Sequence, residues 1–211
     1  MKECCRVLKA GGIIRVVVPD LENIVTEYLK FLNQNLENPG RQSEANYDWI
    51  LLEMFDQTVR NTPGGLMAEF LKQPDLVNEK YIFDRFGHPA KRIRGNYLQA
   101  KGSGPGIGNF VNTLKRAGTR KVIKHIAWKL GNLFSSRTKR VGAFRLGGEV
   151  HMWMYDRFSL SRLLQDVGFQ DIEIKTPQES NIPHWSRYEL DVKNGEAFDP
   201  TSLFMEAVKP R

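Results

Sequence analysis

Cysteine is scarce in this chain of 211 residues, which contains only Cys4 and Cys5. Adjacent cysteines are poor disulfide partners, because bridged residues need a particular Cα and Cβ geometry. No Cys-x-x-Cys pair occurs, so the sequence predicts neither a disulfide framework nor a cysteine zinc site. The four histidines show no spacing typical of a metal site or a nucleophile–base triad. These absences favour a reducing compartment.

Long apolar runs are also lacking. No uninterrupted run approaches the ~20 residues of a membrane-spanning helix. The first residues, MKECCRVLKAGG, lack the apolar core and small-residue cleavage site of a secretory signal. Hydrophobic residues make up 41% and charged residues 26%, which is ordinary for a globular protein of one domain. We therefore expect a cytoplasmic protein, with peripheral membrane association left open.

Acidic residues are missing from one long segment. None occurs between Asp84 and Glu149, whereas the interval from Arg85 to Arg145 contains 15 lysines and arginines. The rest of the chain contains the other 16 basic residues and all 24 acidic residues. A mildly acidic body therefore carries a strongly basic segment at residues 85–148. This uneven distribution is more informative about binding partners than the net charge of +7.

Hydrophobic periodicity predicts helices alternating with strands. The predicted helices are the end of a helix at 1–9, helices at 21–35, 45–60, 66–72 and 110–134, and one from Leu160 to Val167 capped by Asp156 or Ser159. The predicted strands are 13–18, 169–176 and 202–210, while 73–109 and 135–148 are predicted to be mainly loop. This order favours an α/β sheet. Three strands are few for an open sheet, so the chain reads as part of an α/β domain.

Three segments resemble parts of class I S-adenosylmethionine-dependent methyltransferases, of the type 11-like group. CCRVLKAGGIIRVVVPDLE resembles the segment around the fifth strand of that fold, and DRFSLSRLLQDVGFQDIEIK resembles a later helix and strand. SLFMEAVKP resembles the closing strand, which runs antiparallel to the others. YDWILLEMFDQTVRNTPGG looks like the insert of a bacterial branch often found among glycan and cell-envelope genes. The generic likeness covers residues 1–35 and 150–211, and the branch likeness adds roughly 44–95.

The resemblance implies an incomplete Rossmann-like sheet that contains the last three strands. Residues 1–35 and 150–211 would form the C-terminal part of the α/β domain, and 36–149 would be a mainly helical insert or lid. The implied strands one to four, which hold S-adenosylmethionine in that family, would lie before Met1. We therefore expect no cofactor-binding residues here and no tight cofactor binding by this chain alone. A small molecule or glycan is the implied methyl acceptor.

Two residues are candidates for catalysis. His151 lies where the insert rejoins the fold, and histidine titrates in the range useful to a general base. Its structural alternative is a hydrogen-bonding histidine beside a strand. Asp20 follows the strand at 13–18, and ligands of open α/β sheets bind outside the carboxyl ends of the strands. Its structural alternative is the N-cap of the following helix, and both roles can coexist.

The candidates for binding the acceptor form two groups. Glu53, Asp56, Gln57 and Arg60 share one helical stripe beside a predicted apolar face of Trp49, Leu52, Phe55 and Val59. The alternative for the stripe is a solvated face with an internal Glu–Arg network. Trp153, His184 and Trp185 are the second group, with core packing as the alternative for the tryptophans.

Two further segments have competing interpretations. GSGPGIG (102–108) is glycine-rich and precedes a helix, but no hydrophobic strand precedes it, so a hinge or loop is favoured over a phosphate site. The basic helix at 110–134 fits an anionic membrane surface, an anionic partner or a lid with a solvated basic face. Nucleic acid is the least favoured partner.

Two function classes compete with the methyltransferase hypothesis. A non-catalytic remnant or half-domain would complete its sheet with a separate chain, because an exposed edge at 13–18 is an association liability. A peripheral membrane binder would act through 110–134 alone. The sequence does not indicate the acceptor or the oligomeric state.

Overall fold

The computed structural model describes residues 1–102 and 136–211. The helix predicted at 110–134 and nearly all of the glycine-rich segment at 102–108 lie outside the described residues, so the membrane hypothesis based on 110–134 stays a prediction. Within the described ranges, no helix is long and apolar enough to cross a membrane.

The described chain is of the α/β class, as predicted. Its helices are α1 Lys2–Val7, α2 Leu21–Glu37, α3 Arg41–Val59, α4 Gly65–Phe70, α5 Glu79–Gly102, α6 Arg137–Arg145 and α7 Arg157–Asp166. Its strands are β1 Ile13–Pro19, β2 Gln170–Lys175, β3 Val192–Lys193, β4 Glu196–Ala197 and β5 Ser202–Val208, and a 3₁₀ turn spans Trp185–Tyr188.

The main sheet has the strand order β1-β5-β2, and β5 is antiparallel to both neighbours. β1 and β2 therefore run parallel to each other with the last strand between them. The register places Pro19 opposite Ser202, so the end of β1 meets the start of β5. β5 is buried along its middle, and one side of the sheet packs on α7 through Leu160 and Leu164.

The turn from β1 to α2 follows the prediction closely. Asp20 is the N-cap of α2, and its Oδ1 accepts hydrogen bonds from the amides of Glu22 at 3.0 Å and Asn23 at 3.4 Å. Farther along the chain, Asp156 caps α7 in a capping box with Ser159. Both caps use the local side-chain chemistry that the sequence displays.

The apolar face predicted for α3 is wrong in part. Trp49 is fully buried, but Phe55 and Val59 are more than half exposed. The face of α3 that turns inward at its C-terminal half is the polar one, with Glu53 and Asp56 each 3% exposed. The solvated face considered for this stripe is therefore excluded, and its Glu53 pairs with Arg85 outside the stripe rather than with Arg60.

The loop predicted over 73–109 is also wrong, because α5 covers most of it. α5 is two helical pieces joined at Gly87, whose φ of 51° and ψ of −133° are not helical. Pro89 then lies in the first turn of the second piece, where a missing N–H costs little. Gly87 thus produces a kink within a helix rather than a loop.

The loop predicted over 135–148 is wrong as well, because most of this segment is helical. α6 occupies most of this range, and the Ser136 hydroxyl caps it by accepting from the amide of Lys139 at 3.3 Å. Arg145 fastens the helix to the end of α3 by donating to the carbonyls of Thr58 and Val59 at 3.3 and 3.1 Å.

Candidate functional site

A pocket lies where β1 ends and β5 begins, at the edge of the sheet where an α/β fold places ligands. We call it the strand-end pocket. Its lining residues come from β1, α2, α3, α5 and the segment entering β5: Pro19, Asp20, Ile24, Glu53, Gln57, Phe86, Asp199, Thr201 and Ser202. Three of the predicted site residues are thereby brought together: Glu53 and Gln57 from α3, and Asp20 from the start of α2.

Glu53 is the most constrained carboxylate of the pocket. Arg85 donates to its two oxygens at 2.6 and 3.1 Å, and the Trp49 indole N–H donates to one of them. The Arg85 side chain is 7% exposed, so this is a buried, bidentate ion pair. Thr201 completes the contact by donating to the Arg85 carbonyl at 3.1 Å. These bonds hold the α3 side of the pocket against α5 and the entry to β5.

Asp199 is the second carboxylate of the pocket beside Glu53. Burial raises the pKa of Asp199 to about 6, and the negative charge of Glu53 acts in the same direction, while a hydrogen bond with Ser202 opposes it. A carboxyl group that titrates near neutrality in a pocket is a candidate proton acceptor or donor.

Asp20 is the third carboxylate that lines the pocket. Burial raises its pKa, and the two amide hydrogen bonds from the start of α2 act against that shift. Asp20 therefore combines the two roles considered from the sequence, because it caps α2 and also borders the pocket.

Asp56 and Arg60 belong to the same stripe but do not line the strand-end pocket. Asp56 accepts from the amides of Leu66 at 2.8 Å and Met67 at 3.4 Å, so it anchors the start of α4. Arg60 lies 3.2 Å from Asp56 and 3.6 Å from Glu149. Their contacts are those of a structural ion-pair network.

His151 is held next to the pocket through its backbone, since its N–H donates to the Gln57 carbonyl at 3.0 Å. The imidazole is partly buried, and within the described residues its Nδ1 has no hydrogen-bond partner. Burial lowers the pKa of His151, and the positive charge of Arg60 lowers it further. The side chain is therefore neutral at physiological pH, as a base must be.

Trp153, His184 and Trp185, the second group of candidates for acceptor binding, lie outside the strand-end pocket. Trp153 is 68% exposed and does not line the strand-end pocket. Trp185 borders a second cavity formed by the segment from Pro177 to Gly195, which we call the loop pocket. His184 precedes the 3₁₀ turn that carries Trp185 and has a φ of 59°. Of the predicted binding residues, Glu53 and Gln57 thus line the strand-end pocket and Trp185 lines the loop pocket, whereas the other four line neither cavity.

No family model matches the chain, and neither a curated protein nor a solved structure matches it.

Several pocket residues were missed from the sequence. Asp199, Thr201 and Ser202 lie in a segment whose composition, FDPTS, resembles any surface turn. Arg85 was counted only as part of the basic segment, although it is 6% exposed and paired. Its partner Glu53 lies 32 residues earlier, so no local sequence pattern indicates the pair.

Proposed function

We propose that this chain is the C-terminal portion of a class I S-adenosylmethionine-dependent methyltransferase and contributes the acceptor side of its active site. The observation that carries the proposal is the strand order β1-β5-β2 with an antiparallel last strand. The antiparallel direction of the last strand agrees with what the resemblance of the three sequence segments implies. The position of the strand-end pocket supports the same proposal.

In this proposal the strand-end pocket receives only the nucleophilic hydroxyl or amine of a small-molecule or glycan acceptor, because its volume of about 20 Å³ admits a single water-sized group. Asp199 would remove its proton, because this carboxyl titrates near neutrality and lines the pocket. The Glu53–Arg85 pair would keep the wall formed by α3 and α5 fixed, which preserves the orientation on which the rate of group transfer depends. His151, held beside Gln57, is the second candidate for the base.

The described residues do not fit S-adenosylmethionine itself. The turn from β1 to α2 contains no glycine, so it lacks the close backbone approach of a glycine-rich cofactor turn. The carboxylate of Asp20 is already engaged by two amides of α2. The proposal therefore assigns cofactor binding to a part of the enzyme other than these residues.

The cofactor prediction is tested by isothermal titration of the chain with S-adenosylmethionine. We expect no binding at micromolar concentrations, because the turn after β1 offers no cofactor cradle. A micromolar affinity would overturn the assignment of cofactor binding to another part of the enzyme.

The enzyme hypothesis is tested by sequencing the DNA upstream of the Met1 codon. An open frame that encodes a hydrophobic strand followed by a glycine-rich turn is the expected result. The extended protein would then be assayed for transfer of a labelled methyl group, with Asp199→Asn lowering kcat and removing the limb of the pH profile near 6. An in-frame stop close to Met1 would contradict the enzyme hypothesis and favour the alternative below.

The alternative is a non-catalytic half-domain completed by another chain. One observation favours it: among the described residues, β1 pairs with β5 only, so its outer edge carries unpaired backbone donors and acceptors. Such an edge is a template for strand addition.

A further inference from the structure

The loop pocket has features that the strand-end pocket lacks. It is a cavity of about 310 Å³, near the lower end of the range of about 300–1,000 Å³ found for ligand sites. The segment that forms it connects β2 to β4 and closes over the side of the sheet that carries Arg15.

A buried ionic network holds this segment in place. Arg15 donates to Asp191 at 2.6 Å and to Glu206 at 2.7 Å, and its guanidinium also reaches the carbonyls of Thr176 and Glu179 at 2.7 and 2.9 Å. The side chains of Arg15 and Glu206 are 3% and 1% exposed. The two ends of the segment are therefore tied to β1 and β5, and the cavity walls are fixed rather than collapsible.

The Trp185 ring supplies one wall of the cavity. The guanidinium carbon of Arg15 lies 4.8 Å from the ring centroid on one face. Arg15 itself does not line the cavity. It already pairs with Asp191 at 2.6 Å, which weakens the attraction of that carboxylate for a cationic ligand.

The polar lining disfavours an anion as well. The cavity is bordered by Glu189, Gln178, Asn194 and Asp191, the last with its carboxylate paired to Arg15, and among the described residues by no lysine, arginine or histidine. Carboxylates accept hydrogen bonds from hydroxyl groups, and amides both donate and accept. A ligand with an apolar ring face and several neutral hydroxyl groups matches this set.

The backbone around the cavity is strained at a non-glycine residue. Glu189 has a φ of 46°, a conformation that costs a side-chain-bearing residue about 1–2 kcal/mol. The positive φ of Asn194 is explained by the Asn194-Gly195 hairpin turn between β3 and β4, and that of Glu189 by its position as the C-cap of the 3₁₀ turn Trp185–Tyr188. The 3₁₀ turn therefore places Trp185 and Glu189 at its two ends, and both residues line the cavity.

We propose that the loop pocket binds a neutral hexopyranose ring, stacked on Trp185 and hydrogen-bonded by Glu189 and the two amides. The role of this ring as part of the methyl acceptor rests on the proposed function. The binding itself does not, because it is measured without cofactor.

The test is saturation-transfer NMR on the full chain with glucose, galactose, mannose and N-acetylglucosamine at millimolar concentrations. Choline and glucose 6-phosphate serve as the cationic and anionic probes. We expect transfer to the ring C–H protons of at least one neutral sugar and none to the two charged probes. Absence of transfer to every neutral sugar, or preference for a charged probe, would overturn the proposal.

Substitutions test whether the sugar binds in the loop pocket. Trp185→Leu should weaken the sugar affinity by about tenfold or more, whereas Trp153→Leu, at an exposed tryptophan outside the cavity, should leave it unchanged. Glu189→Gln changes an exposed side chain and should also weaken the sugar affinity. It tests the site if Trp185→Leu does not fold. Unchanged affinity in Glu189→Gln and in a folded Trp185→Leu protein would overturn the site. Sugar binding with no methyl transfer would leave this site standing and contradict only the proposed function.

Discussion

At the scale of single residues, the unusual feature is a buried charge pair on a helix face that the sequence presents as polar. Glu53 and Arg85 are 3% and 6% exposed. Removing one member of such a pair leaves the other as an uncompensated buried charge, and this costs far more than losing a surface pair.

Glu53→Gln should lower the free energy of unfolding by about 3–5 kcal/mol, because Arg85 loses its counter-charge in a buried site. Urea denaturation measures this loss. The matched control is Glu69→Gln, which breaks an exposed pair with Lys72 and should cost less than about 1 kcal/mol. Equal losses in the two variants would show that the pair is not buried in solution.

The raised pKa of Asp199 predicts how the stability of the protein depends on pH. Its pKa of about 6 in the folded protein exceeds the ordinary value of 3.8, so the folded state binds more protons than the unfolded state between these values. The contribution of Asp199 to the free energy of unfolding is therefore fully present below pH 4 and is lost as the pH rises through 6. The loss amounts to roughly 3 kcal/mol.

Asp199→Asn removes this titration. Relative to the unmodified chain, the variant should gain roughly 3 kcal/mol between pH 4 and pH 7, as measured by urea denaturation across that range. Asp75→Asn, at an exposed carboxylate paired with Arg41, should shift the stability by less than about 1 kcal/mol at every pH. A constant difference between Asp199→Asn and the unmodified chain would refute the assignment.

At the scale of elements, the kink in α5 decides where the pocket wall lies. Gly87 turns the chain so that the His88 amide donates to the Phe198 carbonyl at 2.9 Å. This contact fastens α5 to the segment that carries Asp199 and leads into β5. The kink therefore couples the helical layer to the sheet at the site.

Gly87→Ala should destabilise the protein by more than about 2 kcal/mol, since positive φ disfavours alanine. Its Cβ would also lie 2.3 Å from the Phe198 oxygen and 2.8 Å from Pro200 Cδ. The control in the same helix is Gly95→Ala, whose Cβ would meet nothing within 4 Å. That variant should gain up to about 1 kcal/mol from helix propensity. Thermal melting of both variants checks the prediction, which fails if Gly87→Ala is as stable as Gly95→Ala.

At the scale of the whole molecule, the sheet is narrow, and β1 lies at one edge of it. Val17 on this strand is 40% exposed, and Ile174 on β2, at the opposite edge, is 54% exposed. Open apolar edges promote pairing between chains, and a lysine on an edge strand opposes it.

The chain by itself should therefore associate through the β1 edge, with an apparent mass in sedimentation velocity that rises with concentration. Val17→Lys should shift the distribution to monomer because a charge on the edge strand disfavours pairing. Ile174→Lys, on the opposite edge, should not. A monomer at all concentrations for the unmodified chain would count against both an incomplete sheet and the half-domain alternative.

What the sequence by itself determined is local. β1, the Asp20 cap of α2 and the cap of α7 depend on residues that are close in sequence. β1 and the Asp20 cap were predicted at the right place, and of the two caps predicted for α7, Asp156 and Ser159, the N-cap is Asp156. The antiparallel last strand was expected from resemblance to a family and is present.

Only the tertiary structure decided the contacts between residues that are distant in sequence. The polar stripe of α3 is buried because Arg85, 32 positions later, neutralises Glu53. Asp199 joins the site because Gly87 draws its segment against α5. Periodicity ranks a residue by its own polarity, whereas burial depends on whether a partner compensates its charge, and that partner is supplied only when the chain has folded.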